Sequence, residues 1–468
     1  MKFLLPKEAI STMNKLKKAG FQAYAVGGCV RDSLINRETK DWDFTTDATP
    51  KHLLRLFPDG FYDNKFGTVG IPVEKSKIKN QKSKIIYEIT TFRSEFGYSD
   101  HRHPDKIAWG KTIEDDLKRR DFTINAMALR LTMLSQGKRS YELIDPFNGQ
   151  EDLKNKIIKA VGDPDKRFQE DALRMMRAIR IATQLQYLID NKTFSAIKNN
   201  ASLLHKISQE RVRDELLKIL ASDYPTDGII LLRNAGLISI ILPELEKCFG
   251  VEQKSPQRHH IYDVGTHLLN SLKNCPSNDP IVRLATLLHD IGKPVTVAKT
   301  PEGVITFYNH EIIGASIIRS IANRLHFSKD EREKLLRLVR YHQFTVDERQ
   351  TDTALRRFIR NVGKEYLDDI LALRTGDRLG GGARETSWRL DLFKKRLIEV
   401  QKQPFTVSDL KVSGHDVMKI YNIGPGPLVG KILNMLFYEV VEGKTPNKKE
   451  ILLKRIRDLK KESKIISN

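Results

Sequence analysis

The sequence predicts an α/β head followed by an all-α remainder. Three observations predict it: strand-type alternation confined to about the first 150 residues, a helical period that dominates afterwards, and a length of 468 residues, too great for one ordinary core. In the head, Phe21 to Val26 alternates and stops at Gly27-Gly28. Ile85 to Phe92 and Ala126 to Leu131 are further strand candidates, and Lys75 to Lys84 reads as a polar turn. Arg167 to Leu185 and Gln209 to Leu220 carry the helical period, with stops at Gly236 and Pro243. The expected organisation is a head at 1–150, a helical neck and body at 151–253, a histidine-containing helical block at 254–395 opened by Lys254-Ser255-Pro256-Gln257, and a helical tail at 396–468 that includes Gly424-Pro425-Gly426-Pro427.

Composition narrows the function. With 40% hydrophobic and 30% charged residues, and no apolar run near the roughly 18 to 20 residues that span a bilayer, the chain reads as a soluble cytoplasmic protein without a membrane partner. Its opening Met1 to Lys7 breaks after three apolar residues, unlike a signal peptide. Cys29, Cys248 and Cys275 lie far apart, without the spacing of a disulfide framework or zinc knuckle. A net charge of +21 and a pI near 9.6 favour a polyanionic partner through counterion release, or else record solvated lysine faces.

The head carries the first chemical motif. Asp41 and Asp43 flank Trp42, and on an extended chain side chains repeat every second residue, so both carboxylates face one way and can grip divalent cations against a triphosphate. Hard oxygen ligands suit Mg2+. Upstream, Gly27-Gly28 after a strand lets the backbone approach phosphate, and Arg31 can clamp phosphate oxygens as a helix begins. Downstream, Arg119-Arg120-Asp121 is either a contact for nucleotide phosphate and sugar or a salt-bridged surface turn.

The run Val26-Gly27-Gly28-Cys29-Val30-Arg31-Asp32, then Asp41-Trp42-Asp43-Phe44 and Arg119 to Leu129, resembles the class II tRNA nucleotidyltransferase and bacterial poly(A) polymerase family. The resemblance runs from about Ala25 to Leu220 and includes Leu143 to Gly149, Glu170-Asp171-Ala172-Leu173-Arg174 and Glu210 to Leu216. Lys159 stands where the family commonly has arginine. The resemblance implies a polymerase beta-like mixed sheet with helices in the head, catalytic Mg2+ on Asp41 and Asp43, triphosphate binding by Gly28 and Arg31, and a nucleotide contact by Arg120.

It further implies that protein side chains choose the nucleotide. Cytosine and adenine both present an exocyclic amine beside a ring-nitrogen acceptor, whereas uracil and guanine reverse both groups. Asp171 can accept from the amine while Arg174 donates to the ring nitrogen, and the wrong base leaves buried polar groups unpaired. As i, i+3 residues the two are expected on one helical face, with Arg177 continuing the row. Arg180 belongs to the nucleotide site by resemblance, although an ideal helix turns it roughly opposite Asp171. The polar loop Arg93 to Asp105 is of the kind present in CCA- and A-adding members and shortened in CC-adding ones.

Leu287-Leu288-His289-Asp290-Ile291-Gly292-Lys293-Pro294 resembles the signature of the HD phosphohydrolase superfamily. The resemblance implies His267, His289, Asp290 and Asp377 as ligands of one divalent cation, a transition metal or Mg2+, with His310 and His342 in the order of the additional ligands of two-metal members. Asp409 to Asp416 and the Gly424 to Pro427 loop resemble the tail of bacterial CCA-adding enzymes, where it would hold the tRNA elbow. The expected activity is template-independent addition of CCA, or its terminal A, to tRNA from CTP and ATP, with no DNA partner. A poly(A) polymerase shares the head motifs, and a metal phosphohydrolase with an RNA-binding head is the reading from another class.

Overall fold

The computed structural model describes residues 3, 5–39, 41–62, 67–73, 85–96, 106–109, 112–133, 139–253, 262–401 and 407–466. The polar turn 75–84, the tip of the 93–105 loop and the 254–257 linker lie outside these residues. Compactness divides the chain into two units, residues 1–246 with 323–327, and 247–322 with 328–468.

In the first unit the head comprises α1 (Lys7–Lys18), β1 (Tyr24–Val26), α2 (Gly28–Leu34), β2 (Asp43–Thr46), α3 (Pro50–Leu56), β3 (Phe61–Tyr62), β4 (Thr68–Val73), β5 (Ile85–Thr91), β6 (Arg93–Phe96), β7 (Lys106–Trp109), α4 (Ile113–Lys118), β8 (Ala128–Met133) and β9 (Arg139–Ile144). Seven of the strands form one mixed sheet in the order β3-β4-β5-β2-β1-β8-β9. β2 and β5 are parallel and the other neighbours antiparallel. Strands β6 and β7 pair separately, so the segment expected as a polar loop begins in β6 and is followed by its partner strand β7. Every residue of β1 is buried, as its central place demands. Tyr24, Val26, Phe92, Ile113, Leu117 and Ala128 form a cluster that seats α4 against β1 and β8.

Helices follow: α5 (Gly149–Lys154), the short pair β10 (Ile157–Ile158) and β11 (Leu188–Ile189), α6 (Pro164–Glu170), α7 (Leu173–Leu185), α8 (Asn191–Asn200), α9 (Gln209–Leu220), α10 (Pro225–Asn234), α11 (Ile238–Ile241) and α12 (Pro243–Glu246). The helix expected from Arg167 to Leu185 is interrupted. Asp171 adopts extended backbone (φ −143°, ψ 103°) between α6 and α7, and its carboxylate accepts from Leu173 N at 3.1 Å, opening α7.

The second unit contains α13 (Val264–Lys273), α14 (Pro280–Leu288), α15 (Lys293–Thr296), the hairpin β12 (Ala298–Lys299) and β13 (Ile305–Thr306), α16 (His310–Arg324), α17 (Lys329–Tyr341), α18 (Asp352–Val362), α19 (Leu367–Gly380), α20 (Trp388–Val400), α21 (Gly414–Tyr421), α22 (Pro427–Val441) and α23 (Lys449–Ile466). Pro280 at the first turn and Asp279, which accepts from Ile281 N at 2.7 Å, start α14. Its run to Leu288 is wholly apolar apart from Arg283 and Thr286, and all but Pro280 is buried. α14 therefore forms a fixed floor beneath His289. A separate core of Val417, Ile432, Leu436, Leu452 and Ile456 joins α21, α22 and α23. Among the described residues no helix is long and apolar enough to cross a membrane.

Candidate active site and metal centre

The head site is assembled where β1 meets β2. Val26 pairs with Asp43, so the glycine turn after β1 falls beside the carboxylate that opens β2. Trp42 and Phe44 are buried and stacked, fixing the alternation that leaves Asp41 exposed and Asp43 half-buried. Gly27 has φ 81° and ψ −141°, a conformation essentially restricted to glycine. A Cβ there would stand 3.0 Å from Arg120 Nη1 and 3.6 Å from Asp43 Oδ2, so the missing side chain leaves a cradle lined by a cation and a carboxylate. Burial pushes the Asp43 carboxyl above the ordinary range, Arg120 opposes this, and the like charge of Asp41 adds to it. Such a pair of carboxylates gains from a divalent cation.

Arginines are held round this cradle by groups the sequence reading did not single out. Asp116, fully buried on α4, accepts from Arg119 at 2.6 Å and Arg120 at 3.2 Å. Burial resists its ionisation, but the two guanidinium groups outweigh that and hold its pKa down. The Nε of Arg120 makes no hydrogen bond among the described residues. Arg31 donates to Asn125 Oδ1 at 2.9 Å, and Asn125 Nδ2 donates to Asp121 Oδ1 at 3.3 Å. Asp121 also receives Arg177 through Nε at 2.8 Å and Nη2 at 2.6 Å. Burial opposes the Asp121 charge, yet Arg177 prevails and brings its pKa to about 2. The network Arg31–Asn125–Asp121–Arg177 thus joins α2 to α7. Its one sequence signal is Asn125 standing four residues after Asp121.

The base-reading candidates are arranged differently from expectation. Asp171 and Arg174 do not share a helical face, because Asp171 sits in the break before α7. Asp171 receives Arg211 Nη2 at 3.0 Å from α9. Arg174, buried, donates to Glu170 at 2.5 Å and to the carbonyls of Arg167 and Arg119, both at 3.1 Å. Arg180 donates to Glu215 at 2.6 Å and Gln184 at 3.1 Å, and Glu215 stands one turn along α9 from the Arg211 that holds Asp171. Arg211 and Glu215 were legible only as parts of one motif string.

The second unit gathers all six residues of the other constellation. His267 comes from α13, His289 and Asp290 from the end of α14, His310 from the start of α16, His342 from the end of α17 and Asp377 from α19. His289, His310 and His342 each have Nδ1 within 2.7 to 2.8 Å of a backbone carbonyl, of Thr286, Phe307 and Val339. A carbonyl only accepts, so Nδ1 is a protonated nitrogen in each ring and Nε2 is the one turned inward, the orientation a metal ligand needs. The two oxygens of Asp290 divide the set. Oδ2 lies 3.3 Å from His289 Nε2 and 3.6 Å from His267 Nε2, while Oδ1 lies 3.1 Å from His310 and 3.5 Å from His342. Asp377 Oδ1 completes the first group, 3.2 Å from His267. His267, His289 and Asp290 form one group with the compactness of a cation site, and Asp290, His310 and His342 form another.

Lys293 sits 2.6 Å from Asp290 Oδ2 and donates to Gln253 at 2.8 Å. Despite burial, Lys293 keeps Asp290 well below the ordinary carboxylate range, and hydrogen bonding by His267 does the same for Asp377. Gly292 is required here, since a Cβ on it would collide with the carbonyl of His310. A cavity of about 420 Å3 opens from this cluster and is also lined by Tyr308, Asn309 and Arg374.

Comparison with known proteins agrees with both the head and the whole length. Residues 23–159 match the family model described as "Poly A polymerase head domain", residues 187–249 "Probable RNA and SrmB- binding site of polymerase A", and residues 308–456 "tRNA nucleotidyltransferase domain 2 putative". The CCA-adding enzyme of Limosilactobacillus reuteri is 32% identical over 455 residues, covering 96% of both chains. That of Ligilactobacillus salivarius is 33% identical, covering 97% of both. The chain belongs to the CCA-adding enzyme family. A solved Bacillus stearothermophilus CCA-adding enzyme in complex with CTP superposes with a TM-score of 0.68 at 26% identity, covering 98% of this chain and 99% of that one. A Thermotoga maritima CCA-adding enzyme complexed with tRNA shares the fold, with a TM-score of 0.55 at 20% identity. The α/β head and helical remainder are those of the CCA-adding enzymes.

Proposed function

We propose that this chain adds CCA to tRNA 3′ ends from CTP and ATP without a template, releasing pyrophosphate, in the cytoplasm. The observation that supports it most is the cradle in which Gly27, Asp43 and Arg120 converge, with Asp41 beside them. The tRNA 3′-hydroxyl oxygen bonds to the α-phosphorus, the bond from that phosphorus to the α–β bridging oxygen breaks with its electron pair leaving on pyrophosphate, and the hydroxyl proton passes to solvent. Asp41 and Asp43 would hold Mg2+, which when bound offsets triphosphate charge and polarises the reacting phosphoryl group. Arg31 and Arg120 stabilise the departing pyrophosphate. Asp171 and Arg174 read the amine and ring nitrogen of C or A once they exchange Arg211 and Glu170 for the base edge.

Offering each labelled nucleotide in turn to tRNAs that end before CCA, after C and after CC tests this. Stepwise C, C, A addition, abolished by Asp41→Ala, is expected. Untemplated runs of A on any RNA would instead identify a poly(A) polymerase.

The divided Asp290 cluster supports a second activity, hydrolysis of phosphate esters such as the 2′,3′-cyclic ends of damaged RNA. His267, His289 and Asp377 with Asp290 Oδ2, and His310 and His342 with Asp290 Oδ1, would hold two divalent cations. Imidazole with carboxylate suits manganese, iron, nickel or magnesium. Purified protein lacking bound metal and inert towards cyclic phosphates and monophosphates would remove this reading.

A further inference from the structure

We propose that the metal cavity recognises a nucleotide, with Tyr308 as the platform for its base and Arg374 as a ligand for its phosphate. This rests on the metal reading above and goes beyond it by assigning substrate contacts. Tyr308 is 78% exposed, although its neighbours Phe307 and His310 are buried. The reason is local: Asn309 takes left-handed backbone at φ 60°, and Phe307 is held inward beneath Lys293, whose Nζ lies 5.3 Å from the ring centroid. The turn therefore projects Tyr308 at the cavity edge two residues from a metal-ligand candidate. Exposing so much aromatic surface is costly in water, and an aromatic face beside a phosphate site is the arrangement on which a base stacks.

Arg374 reaches the same cavity from α19. Its Nη1 donates to Asp377 Oδ2 at 3.1 Å, its guanidinium lies 5.4 Å from the Phe344 ring centroid, and its buried Nε makes no hydrogen bond among the described residues. A planar guanidinium steered by a carboxylate and an aromatic ring retains donors for phosphate oxygens. Lys293 already spends two of its three N–H groups on Asp290 and Gln253.

The test measures binding of adenosine 3′-monophosphate and of glycerol 2-phosphate, which carries a phosphate without a base, to full-length protein loaded with Mn2+. Metal content is measured on the same samples, and binding that survives His289→Asn is subtracted as the share of the head. The nucleotide is expected to bind about tenfold more tightly than glycerol 2-phosphate, within the range of one base–aromatic stack. Tyr308→Ala should erase that ratio and Tyr308→Phe should keep it. Arg374→Met should weaken both ligands about equally. A nucleotide preference unchanged in Tyr308→Ala protein that still holds metal overturns the proposal while leaving the metal reading intact. Absence of metal from the folded wild-type chain overturns both.

Discussion

Substituting the two glycines after β1 separately isolates the cradle. Gly27 adopts φ 81°, ψ −141°, and forcing an L-residue into that region costs about 1 to 3 kcal/mol. The new Cβ would also lie 3.0 Å from Arg120 Nη1, so the guanidinium must shift by a few tenths of an ångström, out of the position proposed for holding phosphate. Gly28 begins α2 without positive φ, and a Cβ on it would meet nothing nearer than Arg31 Nη2 at 3.6 Å. Gly27→Ala is therefore expected to lower the melting temperature of the unit by about 2 to 10 °C. It should also reduce kcat/KM for CTP and ATP by at least about tenfold, corresponding to about 1.4 kcal/mol. Gly28→Ala should leave the melting temperature within about 2 °C. Calorimetry and single-nucleotide addition to tRNA ending before CCA read the two effects. Wild-type stability together with wild-type kcat/KM in Gly27→Ala would refute the reasoning.

Asp121 supplies a pH test. Its carboxyl is held down to about 2 from 3.8, so its stabilisation, about 2 kcal/mol, is complete above the unfolded value and is lost as pH falls through the folded one. Asp121→Asn should cost about 2 kcal/mol in urea unfolding at pH 7 but roughly half that at pH 3. An equal loss at both values would contradict the assignment. Arg174→Ala should erode CTP-over-UTP discrimination by at least about tenfold, more than it slows transfer itself, because the wrong base then leaves no buried donor unpaired. Unchanged discrimination rules out base reading by Arg174. Gly292→Ala, by displacing His310 through its carbonyl, should weaken Mn2+ binding at least about tenfold. The extension of tRNA should be unaffected, and wild-type Mn2+ affinity by titration calorimetry would contradict the close approach. Gly228→Ala should cost about 1 to 3 kcal/mol, since its Cβ would strike Ile219 and lie 3.0 Å from Thr183 Oγ1 where α7, α9 and α10 pack.

What could be read early was whatever chemistry compresses into a short string. Glycine freedom at Gly27, the alternation of Asp41 and Asp43 around Trp42, and the His289-Asp290 pair are local properties, and the family resemblance built on them extended to the α/β head and helical body. The helical wheel was less informative. It failed at Asp171 itself, because periodicity cannot see a one-residue break when the residues on either side both favour helix.

Taken alone, the sequence determined which residue types are expected to meet a nucleotide and that a second, imidazole-rich set exists. Only the tertiary structure decided how charges are partnered. Asn125 reaches Arg31 across 94 positions and Arg211 reaches Asp171 across 40, distances at which no periodic signal survives. It likewise decided that the two oxygens of Asp290 face different histidine pairs, since those ligands arrive on separate helices whose meeting point depends on packing. Side-chain identity is written residue by residue, whereas the electrostatic field that sets the Asp121 pKa or divides the Asp290 carboxylate exists only once distant segments share a low-dielectric interior.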